Sequence, residues 1–186
     1  MATRLKVDAS GLKEFEKQLK QLQEKDMQRF NEQMVKELAA IALSKLIDKT
    51  PVGTYDKPVQ FTTRDGKEVS FTPHTGKQGG TLRRGWTSST EGEAASGTGD
   101  GINKIKEHID LLKVKKVGDT YEIEITNPVN YASWVETGHR IYLKDRIGWV
   151  DGKFMVKVTE EEMESQGPAI IERRLKAFLK EALDGK

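Results

Sequence analysis

The chain has 186 residues, of which 35% are hydrophobic and 32% charged, and its formal net charge is +2. A chain of this length can build one domain with a core, but so polar a composition leaves much of its surface charged and exposed. The balance of 31 basic and 29 acidic residues excludes a general attraction to nucleic acid or anionic membranes, and the lack of cysteine excludes disulfides, thiol catalysis and cysteine metal sites.

The first ten residues, MATRLKVDAS, lack the apolar core of a signal peptide. No apolar run approaches the roughly 20 residues that span a bilayer. We therefore expect neither export by that route nor contact with a membrane. A protein without cysteine also fits assembly in a reducing cytoplasm.

The amino-terminal part is predicted to be largely helical. Residues 4–8 alternate like a short strand, Ser10 can cap the helix that follows, and Pro51 ends the helical pattern. An interruption near Lys25 permits a kink between two apolar stripes, which indicate packing on a core or on a partner. The first stripe consists of Leu12, Phe15, Leu19 and Leu22, and the second of Met27, Phe30, Met34, Leu38 and Ile41.

Residues 53–81 are predicted to be an inserted β-hairpin with its loops. Residues 59–63 and 68–71 are strand-like runs. The Asp65-Gly66 pair between them favours a tight turn, because both residue types tolerate positive φ angles.

Residues 91–101, EGEAASGTGDG, form a low-complexity stretch without large apolar side chains. Burial of such a segment cannot offset the entropy lost when it becomes ordered. We therefore predict a flexible loop that is sensitive to proteases in the free protein.

A helical turn and a second hairpin are predicted next. Ile102, Ile105 and Ile109 recur at helical spacing, whereas the apolar residues on either side of the Gly118-Asp119 pair alternate as in two antiparallel strands. The alternating residues are Leu112, Val114, Val117, Tyr121, Ile123 and Ile125.

Residues 127–140, NPVNYASWVETGHR, are predicted to be a helix of about three turns. Asn127 can cap it, Pro128 suits its first turn and Gly138 can end it. Tyr131, Trp134 and Val135 lie on one face of this helix. On chemistry alone, the helix would pack on a sheet through these residues and leave Glu136, His139 and Arg140 in solvent.

The carboxy-terminal part is predicted to begin with a loop containing Trp149 and a strand at residues 154–158. Thr159 and Glu162 form a capping-box pattern, and Gly167-Pro168 is expected to break the helix that follows. A last apolar stripe consists of Ile171, Leu175, Phe178 and Leu179. The sum is a single α+β domain over residues 1–186, in which an antiparallel β-sheet is packed by long amino- and carboxy-terminal helices.

No constellation of residues indicates catalysis, a metal or a cofactor. His74, His108 and His139 lie in dissimilar settings and form no metal-ligand spacing. The acidic run at residues 160–164 is explained by the start of a helix, and no serine lies in a nucleophile elbow. An enzyme is therefore not predicted.

Two basic patches could bind an anionic partner. Arg83 and Arg84 lie beside Trp86, a combination that suits protein interfaces as well as stacking on bases. The second patch is a lysine series whose more ordinary interpretation is a solvated strand face. It consists of Lys104, Lys106, Lys113, Lys115 and Lys116. A nucleic-acid-binding module that uses both patches is the alternative functional hypothesis.

The pattern NP-x-x-YA-x-WVE-x-GHR of residues 127–140 resembles the tailed-phage neck and tail-completion proteins typified by gene product ten of a lambdoid phage. The segment Leu-Arg-Arg-Gly-Trp at residues 82–86 is similar to the family's Leu-Arg-Arg-Ser-Trp element, and residues 154–183 resemble its closing helix. Two departures stand out. Residues 53–81 are inserted where relatives run on almost directly, and Gly85 replaces the usual serine.

The resemblance implies a non-enzymatic structural protein of a tailed bacteriophage or prophage, present in the virion and in the host cytoplasm during assembly. It would act in tail completion and head-tail joining, with the tail terminator, tail tube and connector as partners and with transient contact to DNA. It would form a homo-oligomeric ring, with a hexamer favoured. The residues expected to shape or support the interfaces are Arg83, Arg84, Trp86, Tyr131, Trp134, Glu136, His139 and Arg140, and the loop at residues 91–101 would order only on contact with a neighbour.

Overall fold

The computed structural model describes residues 24–53, 58–63, 65–71, 79–97, 105–142 and 147–184. The helices in these ranges are α1 (Glu24–Lys49), α2 (Thr81–Gly85), α3 (Glu91–Ser96), α4 (Ile105–Leu111), α5 (Ala132–Thr137) and α6 (Met155–Asp184). The strands are β1 (Val59–Thr62), β2 (Glu68–Phe71), β3 (Lys115–Val117), β4 (Thr120–Glu122), β5 (Gly138–Tyr142) and β6 (Ile147–Asp151). The predictions for residues 4–8, Ser10, the first apolar stripe, Ile102, His74 and Lys104 lie outside the described residues.

The long helices α1 and α6 pack against each other in antiparallel orientation. The rings of Phe30 and Phe178 stack with centroids 4.7 Å apart, and Arg174 Nη2 lies 2.7 Å from a carboxylate oxygen of Glu37. Towards the other end of the pair, Lys45 and Lys49 both contact Glu162. Early residues of one helix therefore meet late residues of the other, and the first and last described helices lie side by side.

The core lies between α1 and the shorter elements. Leu43 and Ile47 of α1 are almost completely buried, as is Met155 at the start of α6. The remaining members are Ala39, Leu46, Leu82, Trp86, Ala94, Ile109 and Val129. Ala39, Leu43, Leu46 and Ile47 of α1 lie on one helical face. None of them belongs to the second predicted stripe, of which Met34 is buried outside this cluster.

The α+β class is confirmed, but the described strands form three separate two-stranded antiparallel sheets and no single sheet. The hairpins predicted around Asp65-Gly66 and Gly118-Asp119 are both present, as β1–β2 and β3–β4. Gly66 and Gly118 have φ angles of 81° and 60°, which suit glycine. The third hairpin, β5–β6, was not predicted, because Trp149 was assigned to a loop.

The prediction of a flexible loop is wrong for the first part of residues 91–101, which forms α3. The Thr90 hydroxyl accepts a hydrogen bond from the Glu93 amide at 3.3 Å, and Ser89 donates its amide to the Glu93 carboxylate at 2.8 Å. Ala94 is fully buried in the core. Local capping and one small apolar side chain therefore order a stretch whose composition suggests disorder.

The strand predicted at residues 154–158 is also wrong, because α6 begins at Met155. Thr159 does not cap a helix but lies inside one, where its hydroxyl donates to the Met155 carbonyl at 2.7 Å. Gly167 and Pro168 do not break α6, which continues through both residues. Packing on α1 over most of its length stabilises α6 against these local signals.

Candidate functional site

Two of the predicted interface residues connect α2 to the end of α1. Arg83 donates from Nε and Nη2 to the carbonyl of Thr50, at 3.2 and 2.8 Å. Trp86 is buried, and its indole nitrogen donates to the Thr50 hydroxyl at 2.7 Å. Both side chains therefore stabilise the contact between α2 and the end of α1.

Arg84 connects α2 to α3 and to the segment before α2. Its Nε donates to the carbonyl of Ala94 at 2.8 Å, and its Nη1 donates to the carbonyl of Gly79 at 3.0 Å. The guanidinium group of Arg84 therefore stabilises the fold through hydrogen bonds to two backbone carbonyls. The arginine pair expected to face an anionic partner is thus engaged within the chain.

Gly85 has a clear packing role. A Cβ atom at this position would lie 2.2 Å from Oδ1 of Asn127 and 2.8 Å from a methyl group of Val129. The close approach lets Asn127 donate from Nδ2 to the Leu82 carbonyl at 2.8 Å. Glycine, in place of the family's serine, therefore leaves the space that Asn127 occupies in this chain.

The helix predicted from Asn127 is shorter than expected. Asn127 Oδ1 accepts from the Val129 amide at 3.1 Å and so forms a turn, and α5 starts only at Ala132. The half-buried Tyr131 precedes α5 and packs against the core. The predicted stop at Gly138 is confirmed, since this residue has a φ angle of 83° and a Cβ there would lie 2.4 Å from the Val150 carbonyl.

Glu136 binds the amino terminus of α6. Its carboxylate accepts from the Val156 amide at 3.0 and 3.2 Å and from the Lys157 amide at 3.2 Å. These amides belong to the first turn of α6, where no intrahelical acceptor is available, and the negative charge suits the helix dipole. Phe154, which precedes α6 with a φ angle of 50°, cannot supply such a cap.

The remaining predicted residues reach the surface near α5 and β5. Trp134 is 60% exposed, and its ring lies 6.0 Å from that of His139. Nδ1 of His139 is buried without a hydrogen-bond partner among the described residues. Arg140 is exposed on β5. The structure therefore separates an internal set, which includes Arg83, Arg84 and Trp86, from a surface set.

The β5–β6 hairpin carries an exposed apolar surface around Arg140. Arg140 pairs with Trp149 and Tyr142 pairs with Ile147, so all four side chains project from one side of the hairpin. Tyr142 is 81% exposed, Ile147 64% and Trp149 58%. We call these four residues the hairpin face. The β-branched and aromatic residues in residues 138–142 and 147–151 are the sequence signal that could have revealed it.

A groove of about 600 Å³ runs between α1 and α6. Its apolar walls come from both helices and from the chain after β4, and they include Leu38, Ala42, Ile123, Met163 and Ile171. We call it the α1–α6 groove. The sequence did not reveal it, because its two helical walls are more than a hundred residues apart and each looks like an ordinary core stripe.

The lysine series is partly neutralised within the chain. Lys115 lies 3.6 Å from the Glu124 carboxylate, and the ammonium of Lys116 lies 5.5 Å from the centre of the Tyr121 ring.

Burial lowers the pKa of His108 below 6.5, which favours its neutral form. The described part of the chain contains no cluster of residues that could hold a metal ion, and no helix in it is long and apolar enough to cross a membrane.

The model of one protein family matches the chain. This family, HK97-gp10-like, is described as "Bacteriophage HK97-gp10, putative tail-component", and its model matches residues 13–138. The match includes α1 to α5 and ends where β5 begins. No curated protein and no solved structure matches. Since the family model covers more than half of the chain, the protein belongs to the HK97-gp10-like family of phage tail components.

Proposed function

We propose that this phage tail protein is a non-enzymatic structural component that completes the tail and joins it to the head as a homo-oligomeric ring, with a hexamer favoured. Family membership supports a place in the virion and contacts with other tail proteins. The finer role requires surfaces that neighbouring subunits can share. Tail terminator, tail tube and connector proteins are the partners we expect.

The observation that carries the proposal is the exposed apolar surface at α5 and the β5–β6 hairpin. Trp134, Tyr142 and Trp149 are each more than half exposed. Tyr142 and Trp149 share one side of the hairpin with Arg140, and exposed aromatic side chains beside an arginine are typical of protein interfaces. In this proposal Trp134, His139 and Arg140 contact neighbours, while Arg83, Arg84, Trp86, Tyr131 and Glu136 support the elements that present them.

The nucleic-acid alternative receives less support. The guanidinium groups of Arg83 and Arg84 donate to backbone carbonyls, so they are poorly placed to bind phosphates. Lys115 and Lys116 have neighbours within the chain. Binding to DNA would also have to weaken strongly with added salt, because phosphate contacts release counterions.

The mass of the purified protein tests the proposal. Light scattering is measured on the protein alone and after mixing with tail and connector proteins encoded beside it. A ring, or a shift to a ring on mixing, supports the assembly role and gives its symmetry. A monomer that ignores those proteins and retards DNA at low salt would replace the proposal with the nucleic-acid alternative.

A further inference from the structure

One position in the wall of the α1–α6 groove carries no side chain. Gly167 lies buried in the interior of α6 and lines the groove, and a Cβ built there would meet no atom of the described residues within 4 Å apart from the backbone of its own helix. Glycine is among the least favourable residues inside a helix, and here neither a positive φ angle nor a steric contact with the described part of the chain explains it. An occupant from outside the described fold would explain why the position carries no side chain.

The groove offers hydrogen-bond acceptors and negative charge. Among the described residues that line it, the charged ones are Glu160 and Glu164. Pro168 has no N–H group, so the carbonyl of Glu164 lacks the donor that the next turn of a helix normally provides. An occupant should therefore combine apolar side chains with donors and positive charge.

The hairpin face has these complementary properties. Tyr142, Ile147 and Trp149 provide exposed apolar area, and the hydroxyl of Tyr142 and the indole nitrogen of Trp149 can donate. Arg140, in the same face, provides a positive charge with five N–H donors. Tyrosine, tryptophan and arginine are the residues most enriched at the energetic centres of protein interfaces.

We propose that the hairpin face of one subunit binds in the α1–α6 groove of a second copy of this chain, with Arg140 facing Glu160 and Glu164. A volume of about 600 Å³ lies within the range of pockets that accept groups of this size. The two surfaces are different patches of the same chain, so the contact is head-to-tail and closes into a ring when the rotation permits. This inference rests on the proposed ring assembly and assigns its subunit contact.

Disulfide trapping tests the contact directly, because the chain contains no cysteine. Full-length Tyr142→Cys and Gly167→Cys proteins are purified separately, mixed and oxidised. We expect a cross-linked dimer that joins one chain of each kind, since the two positions lie on the proposed partner surfaces. The control mixture replaces Gly167→Cys with Asp119→Cys, which lies in the exposed turn between β3 and β4.

Substitutions that fill the groove or shorten a side chain of the hairpin face provide a second test, in which light scattering or sedimentation measures self-association. Gly167→Leu should weaken self-association about tenfold or more, whereas Gly167→Ala, which removes the same glycine but leaves most of the groove open, should not. Trp149→Ala should act like Gly167→Leu. Leu111→Ala is its control, since Leu111 is 83% exposed on α4 and belongs to neither surface.

Charge exchange makes the orientation testable. Arg140→Glu should weaken self-association, and adding Glu160→Lys and Glu164→Lys to the same chain should restore it. An oligomer that forms without the specific cross-link would overturn this contact and leave the proposed ring intact. A protein that stays monomeric would also overturn it, while its incorporation into tails would still support the proposed function. Cross-linking that appears only after removal of residues 1–22 would show that the chain's own amino-terminal segment occupies the groove, which contradicts the proposal.

Discussion

The indole nitrogen of Trp86 donates to the Thr50 hydroxyl at 2.7 Å, and that hydroxyl in turn donates to the Leu46 carbonyl at 2.6 Å. Thr50 is 0% exposed and Trp86 is 5% exposed. The chain of bonds satisfies each of these buried polar groups and attaches α2 to the end of α1. A buried donor that loses its acceptor here would have no access to water.

Thr50→Val is therefore expected to lower the free energy of unfolding by about 1–3 kcal/mol, because it leaves the Trp86 N–H buried and unpaired. Thr50→Ser keeps the hydroxyl and should cost clearly less. Midpoints of urea denaturation measure both changes. The double variant Thr50→Val with Trp86→Phe should be less destabilised than the sum of the single variants, and strict additivity would argue against the bond.

Arg84→Lys should loosen α3. A lysine cannot bind the carbonyls of Ala94 and Gly79 together in the geometry of the guanidinium group. We expect a loss of about 1.5–3 kcal/mol of stability and faster hydrogen exchange at the amides of α3. Arg83→Lys is the matched control, because Arg83 binds the Thr50 carbonyl and makes no hydrogen bond to α3. Unchanged exchange in Arg84→Lys would show that α3 is ordered by Ala94 and Thr90 alone.

The features predicted correctly from the sequence are those that depend on neighbouring residues. The turns at Gly66 and Gly118 and the stop at Gly138 require positive φ angles that glycine supplies, so the residue type reveals the backbone. The α+β class follows from the same local periodicities. The family resemblance, carried by residues 82–86 and 127–140, is confirmed by the match to the family model over residues 13–138.

The features missed depend on contacts between distant segments. Residues 154–158, FMVKV, are rich in residue types that favour strands, but Met155 and Thr159 are both buried at a helical spacing once α6 packs on α1. The sequence suggested exposed charges at Arg84 and Glu136, because their backbone partners are not evident from it: those of Arg84 lie 5 and 10 residues away, and those of Glu136 lie 20 and 21 residues away. The groove and the hairpin face likewise arise only when the elements are assembled.

Glu136→Ala should destabilise the start of α6. The carboxylate caps two amides of the first turn from a separate helix, and loss of a cap costs about 0.5–2 kcal/mol. Hydrogen exchange at Val156 and Lys157 should become faster. Glu136→Gln retains an acceptor oxygen and should lie between wild type and alanine. Equal exchange in all three proteins would mean that the contact has no effect on the helix.

The ion pairs of Glu162 should make stability depend on acidity. Hydrogen bonds from Lys45 and then Lys49, at 2.6 and 3.0 Å, lower the pKa of Glu162 below 4.5. Because the pKa is lower in the folded protein than in the unfolded chain, the stabilisation is present above about pH 4.5 and is lost as the pH falls through the lowered pKa.

Glu162→Gln should accordingly be less stable than wild type at pH 7, and the difference should shrink as the pH falls below about 4.5 and through the lowered pKa of Glu162. Added salt should reduce the difference at pH 7, since the carboxylate is partly exposed and is screened. Glu161→Gln, at the neighbouring exposed position, controls for the general loss of one negative charge from α6. Urea denaturation at several pH values measures all three proteins. If Glu162→Gln and Glu161→Gln changed in parallel with pH, the ion pairs of Glu162 would make no measurable contribution to stability. The link between α1 and α6 would then depend on their other contacts, such as the packing of Phe30 on Phe178 and the ion pair of Arg174 with Glu37.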